Sequence, residues 1–201
     1  IYSGWLTSGP KVAAFESAFA ERHGVKHAIA VTSATTALHL SLVALGVGEG
    51  DEVIVPAFTW VSTANAVLYC GAKPVFVDID LNTYNIDAEK IGKAISKRTK
   101  AIIAVHLFGL CADMDRIKSV AGDIPIMEDA ACAAGAAYNE LSAGALGDIG
   151  CFSFHPRKSI TTGEGGMITT NNSAHADLIS KLRNHGAEIS EEQRHKGPKP
   201  Y

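Results

Sequence analysis

The sequence predicts an α/β three-layer sandwich, in which a mostly parallel mixed sheet is covered by helices on both faces. Short β-branched apolar runs alternate with segments of helical length along most of the 201 residues, the order that builds parallel sheets through crossover helices. Most of those runs are too apolar to leave one face in water, so they read as strands covered on both sides. Nearly half of the residues are apolar and charge is modest, which is enough to fill a substantial core.

The first helical segment, 10–23, ends at Gly24, which breaks it. A second, 35–45, follows the small and hydroxyl residues Thr32-Ser33-Ala34-Thr35-Thr36. Gly46, Gly48 and Gly50 punctuate the chain before the first predicted strand, 51–56. Helix 61–70 stops at Gly71 and leads to strand 74–79. Helix 87–97 precedes strand 101–107, and helix 113–121 precedes strand 124–128. Strand 150–154 runs into a proline-bearing turn; strand 166–170 and helix 173–185 complete the set. The polar stretch 188–201, with two prolines, reads as a surface loop. The chain carries no internal repeat, low-complexity tract or long Ser/Gly linker.

Lys plus Arg number 18 against 21 Asp plus Glu, a net charge of −3. That balance gives no electrostatic footprint for nucleic acid or an anionic membrane, so any bound anion must be held by a local site. Cys70, Cys111, Cys132 and Cys151 lack metal or redox spacing and read as free thiols in a reducing compartment. His23 and His27 approach metal-ligand spacing, but Gly24 interrupts the helix between them; both read as surface histidines and no metal site is expected. No basic segment followed by an apolar run opens the chain, and no apolar stretch reaches bilayer length. A soluble, cytoplasmic protein is the expectation.

Open α/β sheets bind ligands beyond the carboxyl ends of their strands, and three features should meet there. Small residues at 32–36 begin a helix, where free amides and the helix dipole favour an anion and the Ser33 and Thr35 hydroxyls add donors. An ordinary helix N-cap accounts for the same residues. Glu128-Asp129 ends a strongly apolar strand. A carboxylate so placed must be paired or kept wet; it can hold a heteroaromatic ring nitrogen protonated, or serve as a cap or structural ion pair. Asp129 is nearer the loop, and Glu128 points to the opposite face by strand alternation. Finally, Phe152-Ser153-Phe154-His155-Pro156-Arg157-Lys158 leads into a return containing Gly163, Gly165 and Gly166. A lysine between an apolar strand and a glycine-rich loop reads as buried, where desolvation makes its amine nucleophilic. His106, ending a strand, is either a pocket residue or a structural one.

Together, Ser33-Ala34-Thr35, Asp129-Ala130-Ala131 and 153–166 resemble the DegT/DnrJ/EryC1/StrS sugar aminotransferases, and the likeness runs in order from Ser3-Gly4 through Tyr201. The resemblance implies the large domain of fold type I pyridoxal 5′-phosphate (PLP) enzymes over 1–201, with a smaller carboxy-terminal domain beyond this chain. It implies that Lys158 forms a Schiff base with the cofactor and that Asp129 pairs with the pyridinium nitrogen. By the same matching, Trp60 stacks on the ring, Ala34, Thr35 and Ser153 contact the phosphate, and His155 is a possible substrate contact. Cys132 departs from the family pattern, which often has a hydrogen-bonding glutamine there; a thiol is a poor replacement donor. The implied reaction moves an amino group from an amino acid, usually glutamate, to a nucleotide-linked keto-deoxy sugar. A homodimer with a shared active site is implied as well.

Three other readings compete. Related PLP-dependent sugar dehydratases carry histidine at the lysine position, which Lys158 opposes. A non-catalytic or regulatory protein would retain the fold alone. A cofactor-free Schiff-base lyase would need neither Asp129 nor an anion site.

Overall fold

The structure, a computed structural model, describes residues 7–188. Its elements run α1 (Pro10–His23), β1 (His27–Val31), α2 (Ala34–Ala44), β2 (Glu52–Pro56), α3 (Ser62–Tyr69), β3 (Lys73–Val77), α4 (Ala88–Ala94) and β4 (Thr99–Val105). After β4 come α5 (Met114–Ala121), β5 (Ile126–Asp129), β6 (Ala137–Tyr138), β7 (Leu141–Ser142), β8 (Ile149–Ser153), β9 (Gly166–Thr170) and α6 (Ser173–Arg183). Among the described residues, seven strands form one sheet in the order β1-β9-β8-β5-β4-β2-β3, and β6 pairs with β7 in a separate ribbon. From β3 to β8 every pairing is parallel. β9 alone runs against both of its neighbours, so the sheet is mixed and mostly parallel, as the sequence predicts.

Period-two alternation with apolar residues on both faces creates the three layers. Val53, Val55, Ala101, Ile103 and Met127 face one side, packing with Ala37 and Leu38 of α2, Ala66 and Val67 of α3, and Ile179 of α6. Their neighbours Ile54, Ile102, Ala104 and Ile126 face the other side, against Ile91 of α4 and Met114 and Ile117 of α5. Phe19 of α1 joins Phe152 and Phe154 in a third cluster, with Phe19 and Phe152 edge-on at 5.0 Å between ring centres.

Several boundaries differ from the prediction. Strand β1 was not predicted: His27–Val31 is a five-residue edge strand with only Ile29 buried, so it lacks the two-sided apolar signal. The β6–β7 ribbon is two residues per strand and leaves no periodicity to read. Helix α4 stops at Ala94, three residues early, because Ile95 turns extended. Strand β4 ends at Val105, and Leu107–Gly109 forms a 3-10 turn instead. His23 is buried, not a surface residue: its ring stacks on Phe19 at 4.2 Å and its Nδ1 lies 2.9 Å from the Ala143 carbonyl. Gly24, with φ +66°, does end α1 as expected. The expected surface loop from 189 onward, and the likeness at Ser3-Gly4, fall outside the described residues. Among the described residues, no helix is long and apolar enough to cross a membrane.

Candidate active site

Loops following β1, β2, β4, β5 and β8 surround a cavity of about 640 Å³ at the carboxyl edge of the parallel strands. Ser33, Ala34, Thr35, Trp60, Asp129, Cys132, Ser153, His155 and Lys158 all line it. Residues scattered over 125 positions of sequence (33 to 158) are thus brought to one opening by the sheet.

At α2, both readings of the 32–36 motif coexist. Ser33 is extended and caps the helix, its Oγ accepting the Thr36 N–H at 3.1 Å. The amides of the first helical turn have no intrahelical acceptor, and Ala34 and Thr35 open onto the cavity. The Thr35 hydroxyl donates to Ser62 Oγ at 3.0 Å, tying the starts of α2 and α3 together. Gly166 lets β9 pass close against the start of α2: a Cβ there would lie 2.6 Å from the Ser33 carbonyl and 2.9 Å from the Ala34 nitrogen.

Strand alternation separates the two acids of β5. The Asp129 side chain turns to the α3 face, where Oδ2 accepts the Thr63 hydroxyl at 2.8 Å and Oδ1 accepts the Ala131 N–H at 3.2 Å. Burial pushes its carboxyl above the usual range, against the opposing hydrogen bonds from Thr63 and Ala131. No cation among the described residues comes within ion-pair distance of it. Glu128 faces the other way. Its carboxylate accepts the amides of Gly144 (2.7 Å), Leu146 (2.8 Å) and Gly147 (2.6 Å), and lies 2.8 Å from His106 Nε2. His106 Nδ1 accepts the Ala112 N–H at 3.2 Å, so Nε2 carries the hydrogen and donates to Glu128. The His106 ring lines the cavity while both of its nitrogens hold the fold together.

The turn after β8 carries the lysine. The Lys158 N–H bonds to the His155 carbonyl at 2.9 Å, and Nζ donates to Cys132 Sγ at 3.1 Å. Lys158 is half-buried, less than the sequence suggests, because the cavity it occupies is open to solvent. Cys132 therefore acts here as an acceptor for the amine, and its side chain is exposed. Ser153 is buried at the end of β8. His155 Nδ1 accepts the Arg157 N–H at 3.2 Å, and Nε2 lies 3.8 Å from Glu164 Oε1. Trp60 and Phe108 stand at the opening, 70% and 76% exposed.

Sequence reasoning passed over Thr63, Ser62 and Arg157. Thr59 and Thr63 are four apart, and their hydroxyls meet at 3.0 Å. That i,i+4 pair at a helix start, beside a tryptophan, was the available signal.

Comparison with known proteins places these residues in context. The profile of the DegT/DnrJ/EryC1/StrS aminotransferase family matches residues 1–199. GDP-perosamine synthase of Caulobacter vibrioides is 54% identical over 182 residues, 89% of this chain and 48% of the relative. Among solved structures, S. venezuelae DesV in complex with a ketimine intermediate superposes with a TM-score of 0.91 at 39% identity, covering 94% of this chain and 52% of that one. GDP-4-keto-6-deoxymannose-3-dehydratase with a trapped PLP-glutamate geminal diamine superposes with a TM-score of 0.88 at 38% identity, covering 92% and 50%. The chain spans about half the length of the curated relatives it matches.

Proposed function

The chain belongs to the DegT/DnrJ/EryC1/StrS aminotransferase family, and on that premise we propose that it is the cofactor-binding domain of a PLP-dependent sugar aminotransferase. The donor is an amino acid, glutamate by family resemblance, and the acceptor is a nucleotide-linked keto-deoxy sugar. Relatives named for a GDP-linked sugar, and one solved with a PLP-glutamate adduct, support both choices. Residues 1–201 supply the large domain, and a homodimer shares the site. The exposed aromatics at the opening, Phe58, Trp60 and Phe108, support such a contact.

The observation that carries the reading is the buried Asp129 carboxyl, which lacks a cation and shares its cavity with the Lys158 amine. A protonated pyridine ring fits that vacancy of charge, and the first turn of α2 beside Gly166 fits a phosphate. When bound, PLP supplies an electron sink for negative charge at the donor's α-carbon. The Asp129 carboxylate would hold a proton on the ring nitrogen. Amides of Ala34 and Thr35, with Ser153, would hold the phosphate, and Trp60 would stack on the ring. Lys158 Nζ, which reaches into the cavity, would hold the cofactor and, when free, would carry a proton at the donor's α-carbon. His155, beside Glu164 at the opening, contacts the sugar substrate.

Lysine at 158 favours amino transfer over dehydration, since related dehydratases carry histidine there. Adding PLP to the purified protein should produce absorbance near the visible edge that Lys158→Ala lacks. A protein that stays colourless with PLP refutes the proposal.

A further inference from the structure

The contact between Lys158 and Cys132 joins an amine to a thiol inside one open cavity. Nζ lies 3.1 Å from Sγ, within direct hydrogen-bond contact. The other three cysteines are shielded: Cys151 is fully buried against Ser41 Oγ, and Cys70 and Cys111 are partly buried. Burial pushes all three of those thiols up in pKa, which disfavours the reactive thiolate. Cys132 alone is exposed, so an oxidant entering the cavity reaches this sulfur first.

We propose that Cys132 and Lys158 form an oxidant-responsive covalent lock on the active-site amine. Hydrogen peroxide converts the Cys132 thiol to a sulfenic acid and releases one water. The unprotonated Lys158 amine then attacks the sulfur, expelling the sulfenic oxygen as a second water and leaving an S–N sulfenamide bond. The sum is one thiol, one amine and one peroxide giving one sulfenamide and two waters. Two equivalents of an external thiol reverse it, yielding Cys132, Lys158 and one disulfide. The bond depends only on the contact; its consequence for catalysis rests on the proposed role of Lys158. With PLP linked to Lys158, the amine is occupied and the lock cannot form.

The test exposes cofactor-free protein to hydrogen peroxide and maps peptides by mass spectrometry. The expected product is a peptide pair joined through 132 and 158, lighter by two hydrogens than its parts, absent from Cys132→Ser and Lys158→Arg and cleaved by dithiothreitol. Preloading with PLP should suppress it at least tenfold. Sulfinic or sulfonic acid on Cys132 with Lys158 unmodified would overturn the proposal. A cross-link that forms equally with and without PLP would establish the bond but sink the lock on catalysis, and with it the cofactor role of Lys158.

Discussion

Replacing Asp129 with asparagine should push cofactor affinity and apo-protein stability in opposite directions. In the protein alone, the carboxylate has two hydrogen bonds, from Thr63 and Ala131, and no cationic partner to offset its burial. Asparagine keeps the acceptor for the Ala131 N–H and offers its amide to Thr63 Oγ1, so little is lost. On the proposed function, bound PLP would set a ring N–H⁺ against this carboxylate, which is itself buried. Breaking a buried charge pair by removing one partner costs about 3 kcal/mol, which weakens PLP binding by roughly two orders of magnitude. For stability, burial raises the folded-state pKa above the ordinary 3.8. The group's contribution is therefore full below 3.8 and falls away as pH rises through the raised value. Cofactor-free Asp129→Asn should melt at a higher temperature than wild type at pH 7, and the gap should narrow as the pH approaches 4. Cofactor titration by absorbance and thermal melts across pH measure the two effects. Unchanged PLP affinity, or an apo variant less stable than wild type at neutral pH, would refute the reasoning.

Trp60→Ala should leave the apo melting temperature almost unaltered, since an exposed side chain contributes within about 0.5 kcal/mol, yet weaken PLP binding in the same titration. Thr63→Val removes one hydrogen bond to the buried Asp129 carboxylate; a loss of about 1–2 kcal/mol in stability should appear in urea denaturation of the cofactor-free protein. Glu128→Gln sets its amide against the Gly144 N–H or His106 Nε2–H, and urea denaturation should show about 1–3 kcal/mol of destabilisation for the donor left unsatisfied. Gly166→Ala drives a Cβ into the Ser33 and Ala34 backbone, costing about 2–3 kcal/mol in the same assay. A neutral result at Gly166 would mean that β9 can withdraw from α2.

Sequence made most of the sheet legible because its strands are apolar on both faces. The run through Ala101, Ile102, Ile103 and Ala104 feeds two opposite cores in strict alternation. His27–Val31 escaped for the converse reason, being an antiparallel edge strand with one buried residue. Alternation also assigned Asp129 and Glu128 to different faces correctly, since that follows from the period of a strand alone. Contacts between distant elements were out of reach. Thr63 against Asp129 and Lys158 against Cys132 depend on how crossover helices and loops settle over the sheet, 66 and 26 residues apart in the chain. The burial anticipated for Lys158 failed likewise: flanking apolar residues describe the strand beneath it, not the open cavity above.

The reversed strand β9 also dictates when the site can come into being. The parallel strands β2, β3 and β4 lie close in sequence and side by side in the sheet, so a chain emerging from the ribosome can assemble them early. β1 must wait, because its ladder partner, Gly166–Thr170, is about 140 residues downstream. Until Gly166 is synthesised, the first turn of α2 is held to α3 through Thr35 and Ser62 but lacks the close backing of β9. A nascent chain stalled in the Pro156–Gly165 turn would thus hold Asp129 in its strand while the cavity still lacked its β9 side; on the proposed function, such a chain would bind PLP more weakly than one that has added β9.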